Sequence, residues 1–195
     1  MLSFTMGNTT IHLWPLMILL VIATVLCILR VFSLQHTNKK IVRLCRAGES
    51  DMAIALATKQ LNYYRRVLAM SKNKNTSAVV DMLYLCIAIS YLGLANDSLF
   101  IQYIGSVSEE NIEKHFWLAL FYLLKDNVDE FQLHYGILLT KPLNPDYTSF
   151  LLVLKQYREN GSPASRESLI ALRPKLKFKL LQDLSDGITK ENNRL

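Results

Sequence analysis

Hydrophobic positions follow two different patterns along this chain. Residues 11–29, IHLWPLMILLVIATVLCIL, run for 19 positions without a Lys, Arg, Asp or Glu, and the helix can continue past Arg30 through Val31 and Phe32. At about 1.5 Å per helical residue, that run spans the roughly 30 Å hydrocarbon core of a bilayer. From about residue 35 onward, apolar residues instead recur every three or four positions, as in helices that bury one face. Met52, Leu56, Leu61, Tyr64 and Leu68 mark one such helix over residues 49–71, entered through Gly48 and interrupted by the polar stretch SKNKNTS at 71–77. AVVDMLYLCIAISYLGL predicts a second helix ending at Gly93, with Asn96 or Asp97 capping the next. Ser106 and Glu109 form a capping-box pattern before NIEKHFWLALFYLL. Asp126 and Asn127 then turn the chain into VDEFQLHYGILL, closed by Pro142; Asn144 and Pro145 open DYTSFLLVLKQYREN, which Gly161 ends. Ser162-Pro163 starts another helix, and Pro174 separates it from a last one near residues 175–186. The segment PKLKFKLLQDL alternates as a strand would, but Leu176, Leu180, Leu181 and Leu184 also fit helical spacing, and a helix is expected. The fold class is therefore all-α: a single N-terminal transmembrane helix followed by an α-helical domain.

The turn residues repeat. Gly48, Gly93, Asp126 and Gly161 fall between paired helices at spacings of 45, 33 and 35 residues, and the last two approximate the ~34-residue period of a helix-turn-helix repeat. Leu118, Ala119 and Tyr122 place a small residue and an aromatic at set positions of a first helix; Ala53, with Ser98 in the next unit, supplies the small residue of a second. On these residues, the region 34–181 resembles the tetratricopeptide repeat (TPR) family. It departs from that pattern at Phe131, at Gln60 and Leu138, and at Val153 with Gln156. The resemblance implies a TPR-like stack of antiparallel helical hairpins whose concave face binds partner helices or peptides. The domain boundaries that follow are a short non-cytoplasmic tail at 1–10, the transmembrane helix at 11–34, the helical domain at 35–186 and a disordered tail at 187–195.

Charge adds orientation. The chain of 195 residues is 51% hydrophobic and 19% charged, with a net charge of +6. Residues 39–74 hold nine Lys or Arg against Glu49 and Asp51, whereas residues 75–171 hold six basic and eleven acidic side chains. No basic residue precedes the apolar run, while Arg30, Lys39, Lys40, Arg43 and Arg46 follow it. Basic flanks stay on the cytoplasmic side, so the N-terminus is expected outside and the helical domain in the cytoplasm. Those five residues form an expected basic patch for anionic lipid headgroups. A signal peptide would require basic residues before the run and a small-residue cleavage site after it. A core helix would normally keep one polar face. Cys27, Cys45 and Cys86 form no CxxC spacing and no even framework, which fits a reducing compartment.

Chemistry is harder to find. There is no Gly-x-Ser-x-Gly elbow, Gly-rich phosphate loop or His-Glu-x-x-His motif. His12, His36, His115 and His134 stand apart in sequence, and Glu109, Glu110 and Glu113 read as acidic residues of a first helical turn. No catalytic, cofactor or metal residue is assigned, and no enzyme is expected. Tyr63, Tyr64, Arg65 and Arg66 are four large side chains in succession, which a helix of 3.6 residues per turn cannot all turn inward. They mark a candidate partner or lipid patch. The expected function is a membrane-anchored adaptor or scaffold binding other membrane-associated proteins. The competing readings are an enzyme or enzyme accessory with no visible site, and a lipid- or nucleic-acid-binding module. The acidic centre of the chain speaks against nucleic acid.

Overall fold

Capping chemistry decides where most of the helices begin. In the computed structural model, which describes residues 3–6, 9–12, 14–70, 74–141 and 143–191, the side chains of Asn96, Asn111, Asn127, Asn144 and Ser162 each accept a backbone N–H of the first turn that follows. Each satisfies a donor that has no partner within the helix. The helices are α1 (Trp14–Ala47), α2 (Ser50–Met70), α3 (Lys74–Gly93), α4 (Asp97–Ile104), α5 (Ile112–Leu124), α6 (Val128–Thr140), α7 (Pro145–Asn160), α8 (Pro163–Leu172) and α9 (Lys179–Glu191), with a 3-10 turn at Arg173–Lys175. Left-handed backbone punctuates the pairs. Gly48, Ala95, Asp126 and Gly161 have φ of +76°, +54°, +57° and +57°, and these turns lie at or within two residues of the four punctuating positions read from the sequence.

Two compact units divide the chain at residue 40. In the first, Ser3–Met6 (β1) and Thr9–His12 (β2) pair as a two-stranded antiparallel ribbon, with Phe4 opposite Ile11. The expected helix from residue 11 therefore begins at Trp14; the ribbon's Thr and Ile suit an extended chain, but strands of four residues are too short to reveal their period. The stretch from Leu16 to Ala47 is long and apolar enough to cross a membrane, and its most apolar 18-residue window has a mean hydropathy of 2.7 and is 0% buried. Leu19, Leu20, Leu26, Leu29 and Phe32 all lie exposed. So large an apolar surface is not left to water in a stable monomer.

The second unit is all helical. α5 lies at its centre: residues 114–121 are buried without a break, so this helix is covered on every side. α6 and α7 pack against it, and α3 touches it. α2 packs on α3, where Ala53 and Ala57, one helical turn apart, are both fully buried. Side chains this small let two helix backbones approach closely, which accounts for their spacing in the sequence. α3 pairs with α4, α7 with α8, and α8 with α9. Trp117, Phe100, Phe131 and Phe150 are the largest fully buried side chains, each contributing on the order of 1.5–3 kcal/mol by leaving water.

Four boundaries differ from expectation. α3 begins at Lys74, inside the polar SKNKNTS stretch. α5 is capped by Asn111 rather than by a Ser106 capping box; Val107 is buried, and a turn closed by the Asn111 N–H on the Ser108 carbonyl follows it. Residues 176–178 are not helical, because Pro174 holds a 3-10 turn and Leu176 leaves it extended, with ψ of 124°. α9 then runs to Glu191, past the expected end of the domain at 186, so residues 187–191 are helical rather than tail. Pro142 and the last four residues of the expected tail lie outside the described residues.

Candidate functional site

The expected basic patch is exposed at every position: Arg30, Lys39 and Lys40 in the first unit, Arg43 and Arg46 in the second. Arg46 has a further role. Its guanidinium lies 5.8 Å from the centroid of the Phe178 ring, a cation–π contact across more than a hundred residues of sequence. Beside it is a groove of about 320 Å³ whose lining includes Arg46, Phe116, Trp117, Tyr147, Lys177 and Phe178, with Glu113 also present. Trp117 meets Phe178 edge-on at 5.0 Å, and Phe116 meets Tyr147 at 5.2 Å. Burial raises the Tyr147 phenol above its ordinary value, partly offset by a hydrogen bond from the Lys177 backbone. The groove thus has aromatic walls with basic side chains among its lining residues. Sequence reasoning missed it because its members come from α1, α5, α7 and the 176–178 segment.

The patch at residues 63–66 divides. Tyr64 packs against the core and Tyr63 meets its ring edge-on at 5.4 Å. Arg65 reaches α3, where Nη2 donates to the Tyr84 hydroxyl at 2.6 Å with the guanidinium 5.7 Å from that ring's centroid. Arg66 is exposed and Tyr63 half-buried. Within the patch, Arg65 and Arg66 are thus exposed and Tyr63 and Tyr64 half-buried, and Arg65 is also tied to α3. Similarly, lysines of the 174–184 segment are engaged by acids: Lys179 bonds Asp183 at 2.7 Å, and Lys175 lies 3.7 Å from Asp146.

Two histidines that stand apart in sequence come together. His115 on α5 and His134 on α6 place their Nδ1 atoms 3.1 Å apart. His115 Nε2 lies 3.1 Å from the Glu109 carbonyl oxygen. Next to it, the buried Lys114 ammonium donates to the Val107 carbonyl at 2.9 Å and to the Glu109 carboxylate at 2.5 Å. Glu109 and Glu110 therefore precede the helix instead of occupying its first turn, where only Glu113 remains. Lys114 holds the Glu109 carboxyl below the usual carboxylate range through that hydrogen bond. Burial lowers His134, and the neighbouring His115 lowers it further. Tyr122 stacks on the His134 ring, with planes 10° apart and centroids at 5.8 Å. The sequence signal was present, one buried-side histidine on each of two consecutive helices, but only their pairing register brings them together.

Cys45 and Cys86 also meet in the core. The Cys45 thiol donates to the Cys86 carbonyl at 3.7 Å, and contact with Cys45, followed by burial, raises the Cys86 thiol well above its ordinary value. Both are free thiols, as is Cys27. Among the described residues no group of three or more His, Cys, Asp or Glu is arranged to hold a metal ion. Compared with known proteins, the chain matches no family model, no curated protein and no solved structure.

Proposed function

We propose that this chain is a single-pass membrane protein, N-terminus outside, whose cytoplasmic TPR-like helical domain acts as an adaptor or scaffold for other membrane-associated proteins. The observation that carries the reading is the combination of an exposed apolar stretch in α1, long enough to cross a membrane, with a helical domain presenting an aromatic, basic-edged groove at Arg46, Trp117 and Phe178. Such a groove suits an apolar segment carrying acidic residues, since aromatic walls supply the contact area and Arg46 with Lys177 the charge complement. The paired helices and their left-handed turns support the hairpin-stack part of the reading.

The test is affinity capture of the full chain from gently solubilised membranes, with Arg46→Glu and Lys177→Glu variants run in parallel. A stoichiometric membrane partner lost in both variants is expected. Capture that persists unchanged in both variants overturns the groove, and absence of any partner overturns the adaptor. Orientation has its own test: a cysteine introduced at Ser3 should label from outside the cell, and labelling only after permeabilisation reverses the topology.

A further inference from the structure

The tautomers of the histidine pair, His115 buried and His134 half-buried, follow from its partners. The Glu109 carbonyl oxygen can only accept, so His115 Nε2, 3.1 Å away, carries hydrogen. A neutral His115 then has a bare Nδ1, and His134 Nδ1 must be the donor across the 3.1 Å between them. That leaves His134 Nε2 as the open nitrogen, 3.9 Å from the Glu130 carboxylate. One proton is therefore accommodated: it goes to His134 Nε2, faces Glu130 and leaves the inter-ring bond intact. A second has only His115 Nδ1 to occupy, and that nitrogen already faces an N–H at hydrogen-bond distance. Two imidazolium rings cannot keep this arrangement.

The surrounding charges do not relieve the conflict. From α5 the pair faces Lys114, a buried cation, and the Tyr122 ring; from α6 it faces Glu130; from the segment before α5 it faces Glu109. Glu109 is engaged by Lys114, and Glu130 is the acid whose carboxylate lies within 3.9 Å of a nitrogen of the pair. The Lys114 ammonium also makes the pocket a poor home for a metal cation.

We infer that His115 and His134 form a proton-operated clasp between α5 and α6, closed while the pair holds no more than one proton and opened when acidification delivers the second. The clasp also ties down the Glu109 carbonyl, so its opening frees both the N-terminal approach to α5 and the outer helix α6. The lowered titration of His134, caused first by burial, fits a pair that resists protonation. Loss should accordingly set in below the ordinary histidine value of about 6.5.

Hydrogen exchange on the full chain in detergent micelles, corrected for the intrinsic pH dependence of exchange, tests the clasp between pH 7.5 and 5. In the wild type, protection of α6 amides should fall by on the order of tenfold as the clasp opens, while α3 amides hold. His134→Gln, whose amide can still donate to His115 Nδ1 but takes no proton, should keep α6 protection flat over the same range. An α6 that is insensitive to pH in the wild type, or that loosens equally in His134→Gln, overturns the inference. Should that variant fail to fold, wild-type chain labelled with ¹³C at histidine Cε1 decides instead. One resonance of the pair should titrate below the ordinary histidine value of about 6.5, and the other only as α6 protection is lost. Two independent titrations with α6 protection intact would overturn the clasp.

Discussion

The α2–α3 and α5–α6 hairpins reach similar packing by opposite means. In the first, α2 packs on α3 and carries two fully buried alanines, Ala53 and Ala57, one helical turn apart. In the second, Phe131 is buried on α6, and the rings of His115 and His134 meet between the two helices with their Nδ1 atoms 3.1 Å apart. Close approach by small residues is a local property of one helix face and tolerates no added volume. Filling by rings depends on what the facing helix supplies and leaves room for polar chemistry. The polar chemistry differs accordingly: α2–α3 holds the buried Cys86 thiol and the exposed Arg65–Tyr84 bond, α5–α6 a histidine pair.

The largest expected effect comes from emptying the filled hairpin. Phe131→Ala should cost about 3–5 kcal/mol, read as a shift in the urea midpoint of the purified chain, because its ring is 2% exposed and neighbours relax only partly into the void. A loss below about 1 kcal/mol would mean that α6 is loosely seated. Next comes the crowded hairpin, where Ala53→Leu should cost about 1–3 kcal/mol by overpacking, while the exposed Met52→Leu beside it changes stability little. Equal tolerance of the two would remove the close crossing.

The third prediction sharpens the comparison through pH. A histidine whose folded value lies below its unfolded one contributes stability that is fully present above about 6.5 and is lost as pH falls from there toward the folded value. His134 is such a group. The urea midpoint of the wild type should therefore decline between pH 7 and 5 by more than that of His134→Gln, whereas Ala53→Leu should leave the slope of this decline unchanged. Smallest of all is Arg65→Gln on the α2–α3 hairpin. An exposed guanidinium bonded to a tyrosine hydroxyl is expected to contribute no more than about 1 kcal/mol, and a larger loss in thermal unfolding would assign Arg65 a deeper part in the packing.

What was legible in the sequence follows the same division. Turn residues and caps act within four residues of themselves, so Gly48, Asn127, Asn144 and Gly161 could be read directly. Ala53 could be read because burial imposes a helical period on one face. The Ser106 capping box had the right letters but not the backbone: Asn111 five residues on performs the task, because burying Val107 requires an intervening turn. Nothing in the order of residues pairs His115 with His134 or Arg46 with Phe178, since those contacts depend on how helices align with one another. The four-residue strands were too short for their alternation to register, and the bond of Arg65 in the patch at 63–66 could not be read because its partner Tyr84 lies on a different helix.

One contact bears on how the domain is made in time. Gly48 turns through left-handed backbone directly beneath Lys179, whose Cδ lies 3.4 Å from where a glycine side chain would begin. The first turn of the helical domain is thus covered by the first residue of its last helix, about 130 positions later. A ribosome adding roughly 5–20 residues per second needs on the order of ten seconds to supply that cover. Through that interval the nascent hairpins must wait with one end unsealed, so protection of the growing chain by whatever receives it matters most before α9 emerges.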